Sequence, residues 1–213
     1  MPTTWIDLIR HGEPEGGNVF RGRTDVVLTA RGQAQFEHRI ARHQSPWQAI
    51  YSSPLQRCRA SAEALAERLA LPCTLRPEWQ EMDFGDWENR LVSDIYAEHG
   101  EHAQRLWQDP LSFCAPNGES VPDFQQRILN AWQDLLLQHR GERVLVVCHG
   151  GVLRVLLQQL LAMPAVAMNR FDLPYAAFVR LRVDHSEDDA TPSDWLSLAL
   201  LDGSELSDRE LSL

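Results

Sequence analysis

The run "RVLVVCHGG" at 143–151 constrains the fold more than any other stretch of this chain. Val144 to Cys148 are apolar without interruption, so the strand they form has no side to turn toward water. Such a strand must be covered on both faces, the condition met in parallel sheets sandwiched by helices. The run then stops at His149 and two glycines, and "VLRVLLQQLLA" (152–162) continues at helical spacing. The same order recurs elsewhere. "WIDLI" (5–9) ends in Arg10-His11-Gly12, and "LTARGQAQFEHRIARH" (28–43) reads as a helix with Thr29 as its N-cap. "WQAIYSS" (47–53) reads as a strand, and Pro54 then stands in the first turn of a helix over 54–70. "CTLRP" (73–77) is expected as an edge strand, "PNGESVP" (116–122) as a loop, and 123–139 as a long amphipathic helix. Two more strands are expected at 177–183 and 194–201, with the acidic stretch 184–194 between them as a solvated loop. This alternation predicts an α/β fold, a three-layer α/β/α sandwich around a mostly parallel central sheet. With neither repeat nor linker, residues 1–213 are expected to form one domain.

In sheets of this kind ligands sit outside the carboxyl ends of the strands. There the chain places Arg10-His11-Gly12, Ser52-Ser53-Pro54 and Cys148-His149-Gly150-Gly151. If those strands are neighbours, Arg10 and His149 converge with His11, and Arg57 follows on the next helix. Taken singly, each residue has a plain structural reading: a histidine closing a strand, an arginine on a helix surface. Together they form a cationic cluster that needs an anion, because buried cations are costly without one. Two guanidinium forks suit a phosphate-like oxyanion. Glycine after each histidine, Gly150 included, lets a ligand come close to the backbone. An imidazole among such donors is a candidate nucleophile toward phosphorus. The acid that must protonate the departing oxygen is sought in "EWQEMDFGDWEN" (78–89), with Glu81 the best candidate. A divalent metal fits poorly. Arginines flank both histidines and would repel it, and neither histidine has zinc-ligand spacing. No cofactor is called for.

Bulk charge narrows the partners. The net charge of −10, with all 20 basic residues arginine, argues against nucleic acid and for a small anion held by a local cluster. No apolar run reaches the ~18 residues of a membrane span. The N-terminus lacks the pattern of a signal peptide. The four cysteines (58, 73, 114, 148) show no paired spacing and are expected as reduced, mostly buried thiols of a cytoplasmic protein. The oligomeric state is not legible.

Six blocks in order carry a resemblance: "LIRHGEPE" (8–15), "GRTDVVLTARGQAQ" (22–35), "SSPLQRCRASAEALA" (52–66), "EMDFGDWE" (81–88), "PNGES" (116–120) and "VLVVCHGGVLR" (144–154). Through them the chain resembles the histidine phosphatase superfamily, in its phosphoglycerate-mutase-like branch. The resemblance implies a phosphoglycerate-mutase-like sandwich. It implies that His11 becomes phosphorylated, that Arg10, Arg57 and His149 bind the transferring group, and that Glu81 is the proton donor and later the base toward water, with no metal needed. It departs at Gly17, where many members carry an asparagine used on the phosphate. Asn18 stands one step on, so either Asn18 or Arg21 is left to line the pocket, Arg21 being the expected substitute. The compact 90–115 segment, expected as a lid bearing Tyr96, His99, His102 and Trp107 beside Trp87, favours hydrolysis over a mutase. The opening and the short length look most like the α-ribazole-phosphatase-like members, which act on a nucleotide-like intermediate of cobalamin assembly. A mutase, or a phospho-ligand-binding module without catalysis, are the alternatives.

Overall fold

The computed structural model describes residues 2–186, 194–207 and 211. In chain order the elements are β1 (Thr3–Arg10), α1 (Ala30–His43), β2 (Ala49–Ser52), α2 (Gln56–Leu69), β3 (Cys73–Leu75), α3 (Val92–Gln108), α4 (Val121–Gln138), β4 (Arg143–Cys148), α5 (Gly150–Leu160), β5 (Phe178–Asp184) and β6 (Trp195–Asp202). They build one sheet of order β3-β2-β4-β1-β5-β6. β3, β2, β4 and β1 run parallel, while β5 lies antiparallel to β1 and β6 to β5. The mostly parallel α/β/α sandwich is therefore the observed fold.

The covering of both faces follows from strand alternation. Ile6, Leu8, Val144 and Val146 point into one core with α4 and α5. Ile9, Ile50, Leu145 and Val147 point into a second core with Phe36 and Ile40 of α1 and Ala62 and Leu65 of α2. β4 is buried from Val144 onward, as its unbroken apolar run demands. β3 is the short edge strand that was expected.

Several boundaries differ from the sequence expectation, each for a local reason. Pro54 is not in the first turn of α2, which begins at Gln56. The helix is capped instead from another loop, since the Gln56 amide donates to Asp25 Oδ1 at 2.7 Å. α4 starts at Val121, before the expected 123, because Ser120 caps it and Pro122 fits its first turn. α5 starts at Gly150, two residues early, with His149 as its N-cap residue. The 90–115 segment carries α3, kinked at His99, which its sequence did not announce. Only Cys58 and Cys148 are buried; Cys73 is half-buried and Cys114 exposed, so the cysteines are less enclosed than expected. The acidic loop over 184–194 falls largely outside the described residues.

Candidate active site

The parallel pairing of β1 with β4 sets Arg10 beside Cys148. Consequently His11 and His149, one residue further on, meet with ring centroids 5.2 Å apart. β2 lies on the other side of β4 and brings Ser53 to His149, Nε2 to Oγ 2.8 Å. Arg57, in the first turn of α2, donates its Nε–H to His149 Nδ1 at 3.3 Å. Its two terminal nitrogens donate to Gly22 O (2.6 Å) and Thr24 O (2.8 Å).

His11 has a defined tautomer. Its Nδ1 lies 2.7 Å from Gly12 O, an acceptor only, so Nδ1 carries the proton and Nε2 keeps a lone pair. Burial, then the charges of Arg57 and Arg10, hold its pKa well below 6.5. Burial and Arg57 do the same for His149. Both rings are neutral at pH 7. Around His11 two arginine donors lack partners: Arg10 Nε and Arg21 Nε are buried and unpaired. Arg10 is otherwise fixed by a bond to Leu173 O (2.6 Å) and by the Tyr175 ring, 4.4 Å from the guanidinium carbon. Arg21 Nη2 holds Glu15 O and Gly17 O, and its charge adds to the field on His11. Asn18 instead lines a separate surface pocket with Glu13 and Tyr175.

Glu81 sits at the N-terminus of α5. Its Oε2 accepts from Gly151 N at 2.9 Å and its Oε1 from Met82 N at 3.1 Å. A Cβ on Gly151 would stand 2.2 Å from Glu81 Oε1, so any larger residue would displace the Glu81 carboxyl. Glu81 and Arg10 bound a cavity of about 190 Å³ whose remaining wall is largely apolar, with Phe84, Leu106, Trp107 and Met168. Gly150 and Arg154 also line it.

Arg10, His11, Arg57, Glu81, His149, Gly150 and Arg21 thus gather at one end of the sheet. The expected lid contacts divide. Trp107 lines the cavity, with its Nε1–H donated to Tyr96 Oη. Trp87 is core, 1% exposed, packed on Phe20 and Phe113. His99 and His102 line a different surface pocket and lay their rings against Trp87, centroids 6.0 and 5.1 Å away. Three residues escaped the sequence reading. Gly151 was signalled by the double glycine, and Glu88 by the "GDWE" block. Tyr175 had no signal, being brought in by the loop before β5. Among the described residues, no three His, Cys, Asp or Glu side chains form a group able to hold a metal ion. No described helix is long and apolar enough to cross a membrane.

Comparison with known proteins agrees with this geometry. The profile of the histidine phosphatase superfamily (branch 1) matches residues 6–191. The adenosylcobalamin/α-ribazole phosphatase of Escherichia coli K12 is 35% identical over 168 residues, covering 77% of this chain and 82% of that protein. A protein of Erwinia tasmaniensis named "Probable phosphoglycerate mutase GpmB" is 29% identical over 210 residues, covering 97% and 96%. The crystal structure of the α-ribazole phosphatase from Shigella flexneri superposes with a TM-score of 0.75 at 31% identity, over 92% of this chain and 95% of that one. Fold and relatives together define an α/β phosphatase. The chain belongs to the histidine phosphatase superfamily, branch 1.

Proposed function

We propose that the chain hydrolyses a small phosphate monoester through a phosphohistidine on His11, without a metal. The observation that carries this is the neutral His11, its Nδ1 tied to Gly12 O, set among buried arginine N–H groups that have no protein partner. Orphaned buried donors are rare and destabilising unless a ligand meets them. Arg10, Arg57 and Arg21 bind the phosphoryl oxygens, and His149 joins them by exchanging the contact of its Nε2–H with Ser53 Oγ for the substrate. His11 Nε2 attacks phosphorus, the ester P–O bond breaks, and protonated Glu81 gives its proton to the departing oxygen. Water then attacks the phosphohistidine, Glu81 takes its proton, and inorganic phosphate leaves with His11 restored. Charge neutralisation and positioning do most of the work, as is general for phosphoryl transfer.

The leaving group lies in the cavity beyond Glu81. Phe84, Leu106, Trp107 and Met168 suit a planar apolar group, with Arg154 beside them for its polar edge. The substrate we favour is therefore α-ribazole 5′-phosphate, the reading that the α-ribazole phosphatase relatives support. The test is phosphate release with EDTA present, comparing that ester with p-nitrophenyl phosphate and 3-phosphoglycerate, beside His11→Ala. We expect the largest kcat/KM for the ribazole ester and none in His11→Ala. Equal release from His11→Ala would refute the nucleophile, and turnover of 3-phosphoglycerate only with a bisphosphorylated primer would establish a mutase.

A further inference from the structure

Parts of two of the six blocks, "GRTD" (22–25) and "GDWE" (85–88), have no part in the chemistry above, yet they meet at one side chain. Glu88 is half-buried and gathers the backbone of the loop 22–24. Its Oε1 accepts from Arg23 N (2.8 Å) and Gly22 N (3.1 Å), and its Oε2 from Thr24 N (3.0 Å). The Thr24 hydroxyl also donates to Oε2, and Phe84 N to Oε1 at 3.1 Å. Burial raises the pKa of Glu88, but these bonds from Thr24, Arg23 and Phe84 outweigh it and hold the carboxyl below its ordinary value. The loop so held does one thing for the site. The carbonyls of Gly22 and Thr24 take one N–H from each terminal nitrogen of Arg57, whose Nε–H goes to His149. That fixes the guanidinium plane and leaves two of its five N–H groups for a ligand. Gly22 is the crossing point: a Cβ there would stand 1.9 Å from Met82 O and 2.4 Å from Glu88 Oε1. Glu88 therefore also ties the Arg57 loop to the segment that carries Glu81.

We propose that Glu88 is a positioning residue: a carboxylate latch that orients Arg57 toward the transferring phosphoryl group through the carbonyls of Gly22 and Thr24. This rests on the reading that Arg57 binds the phosphoryl group. Side chains that orient metal ligands commonly matter about 10–100-fold, and a loss at the lower end of that range is expected for one that orients an arginine. An amide at this position keeps the shape but sets an NH₂ group against backbone N–H donors.

The experiment is a double-mutant cycle of Glu88→Gln with Arg57→Ala, reading kcat/KM and competitive inhibition by orthovanadate and inorganic phosphate. Glu88→Gln is expected to lower kcat/KM and weaken both oxyanions about tenfold. In the Arg57→Ala background the same substitution should change either quantity less than about threefold. Equal losses in both backgrounds would make Glu88 merely structural and overturn the latch. An unimpaired Arg57→Ala would instead overturn the underlying site reading, a result distinguishable because it needs no Glu88 variant. Should Glu88→Gln fail to fold, Thr24→Val removes one hydroxyl from the same carboxylate. It should show a smaller loss that likewise disappears without Arg57, and a loss of equal size in both backgrounds would refute the proposal.

Discussion

Gly151→Ala separates stability from chemistry at a single methyl group. The new Cβ would lie 2.2 Å from Glu81 Oε1, so the carboxylate has to swing away and give up its bond from Gly151 N. Gly151 lies in the first turn of α5, where alanine is favoured over glycine by at most about 1 kcal/mol. The lost charge-assisted hydrogen bond costs about 1.5–3 kcal/mol. The net destabilisation is about 0.5–2 kcal/mol, or a Tm lower by about 1–8 °C for a domain of this size. The fold survives, but the acid is misplaced. General acid catalysis contributes about 10²–10⁴-fold, so hydrolysis of an alkyl phosphate, whose alkoxide must be protonated, should fall about 10²-fold or more. p-Nitrophenyl phosphate departs as a stable phenolate and should lose less than about fivefold. The assay is kcat/KM for phosphate release from both esters, which reports formation of the phosphohistidine and not the later hydrolysis that both esters share, with Tm measured alongside. Equal losses on the two substrates would refute the role of Glu81 as proton donor, or the role of Gly151 in placing it.

Further outcomes can be checked independently. His11 and His149 have folded pKa values depressed below the unfolded 6.5, so the unfolded chain binds protons first and stability is lost as pH falls below about 6.5. The urea midpoint should decline from pH 7 toward pH 5, less steeply in His11→Gln, and identical slopes would contradict the assignment of a buried neutral His11. Gly12→Ala would bring a Cβ to 1.9 Å from the backbone oxygen of Gly32, where β1 runs onto α1. A backbone clash of this kind should cost about 3 kcal/mol or more, lowering Tm by at least about 6 °C, and a calorimetric scan with unchanged Tm would refute it. Trp107→Ala should raise KM about tenfold for an ester with a planar apolar leaving group while leaving KM for a small alkyl phosphate nearly unchanged. A parallel rise for both would move the leaving group out of the cavity.

What could be read from the chain was set by local rules. The all-apolar β4 told of a sheet covered on both faces, because a strand with no polar side has no other stable place. Thr29 announced the start of α1 because a hydroxyl there accepts the Gly32 amide, which depends on three residues of chain. Arg10, His11 and His149 were legible as a group because each ends an apolar run, and β1 and β4 prove to be neighbours. Tyr175 was not legible. Its ring reaches Arg10 and His11 from a loop 164 residues beyond His11, and nothing local marks it. α2 was misplaced at its start for the same reason, since Asp25 caps it from another segment.

The sequence by itself thus determined most of the element types, the doubly covered sheet and which cationic side chains stand at the ends of its strands. These follow from hydrophobic period, capping and charge, all counted along the chain. Tertiary structure alone decided which nitrogen of His11 keeps its lone pair, which carboxylate meets α5 and which one holds the Arg57 loop. Glu81 and Glu88 are seven residues apart in one acidic stretch, and although Glu81 was the candidate acid, nothing along the chain says which backbone amides each carboxyl meets. The packing does: one faces the Gly151 amide at the cavity, the other the amides of 22–24, and hydrogen-bond geometry between distant segments exists only once the chain has folded.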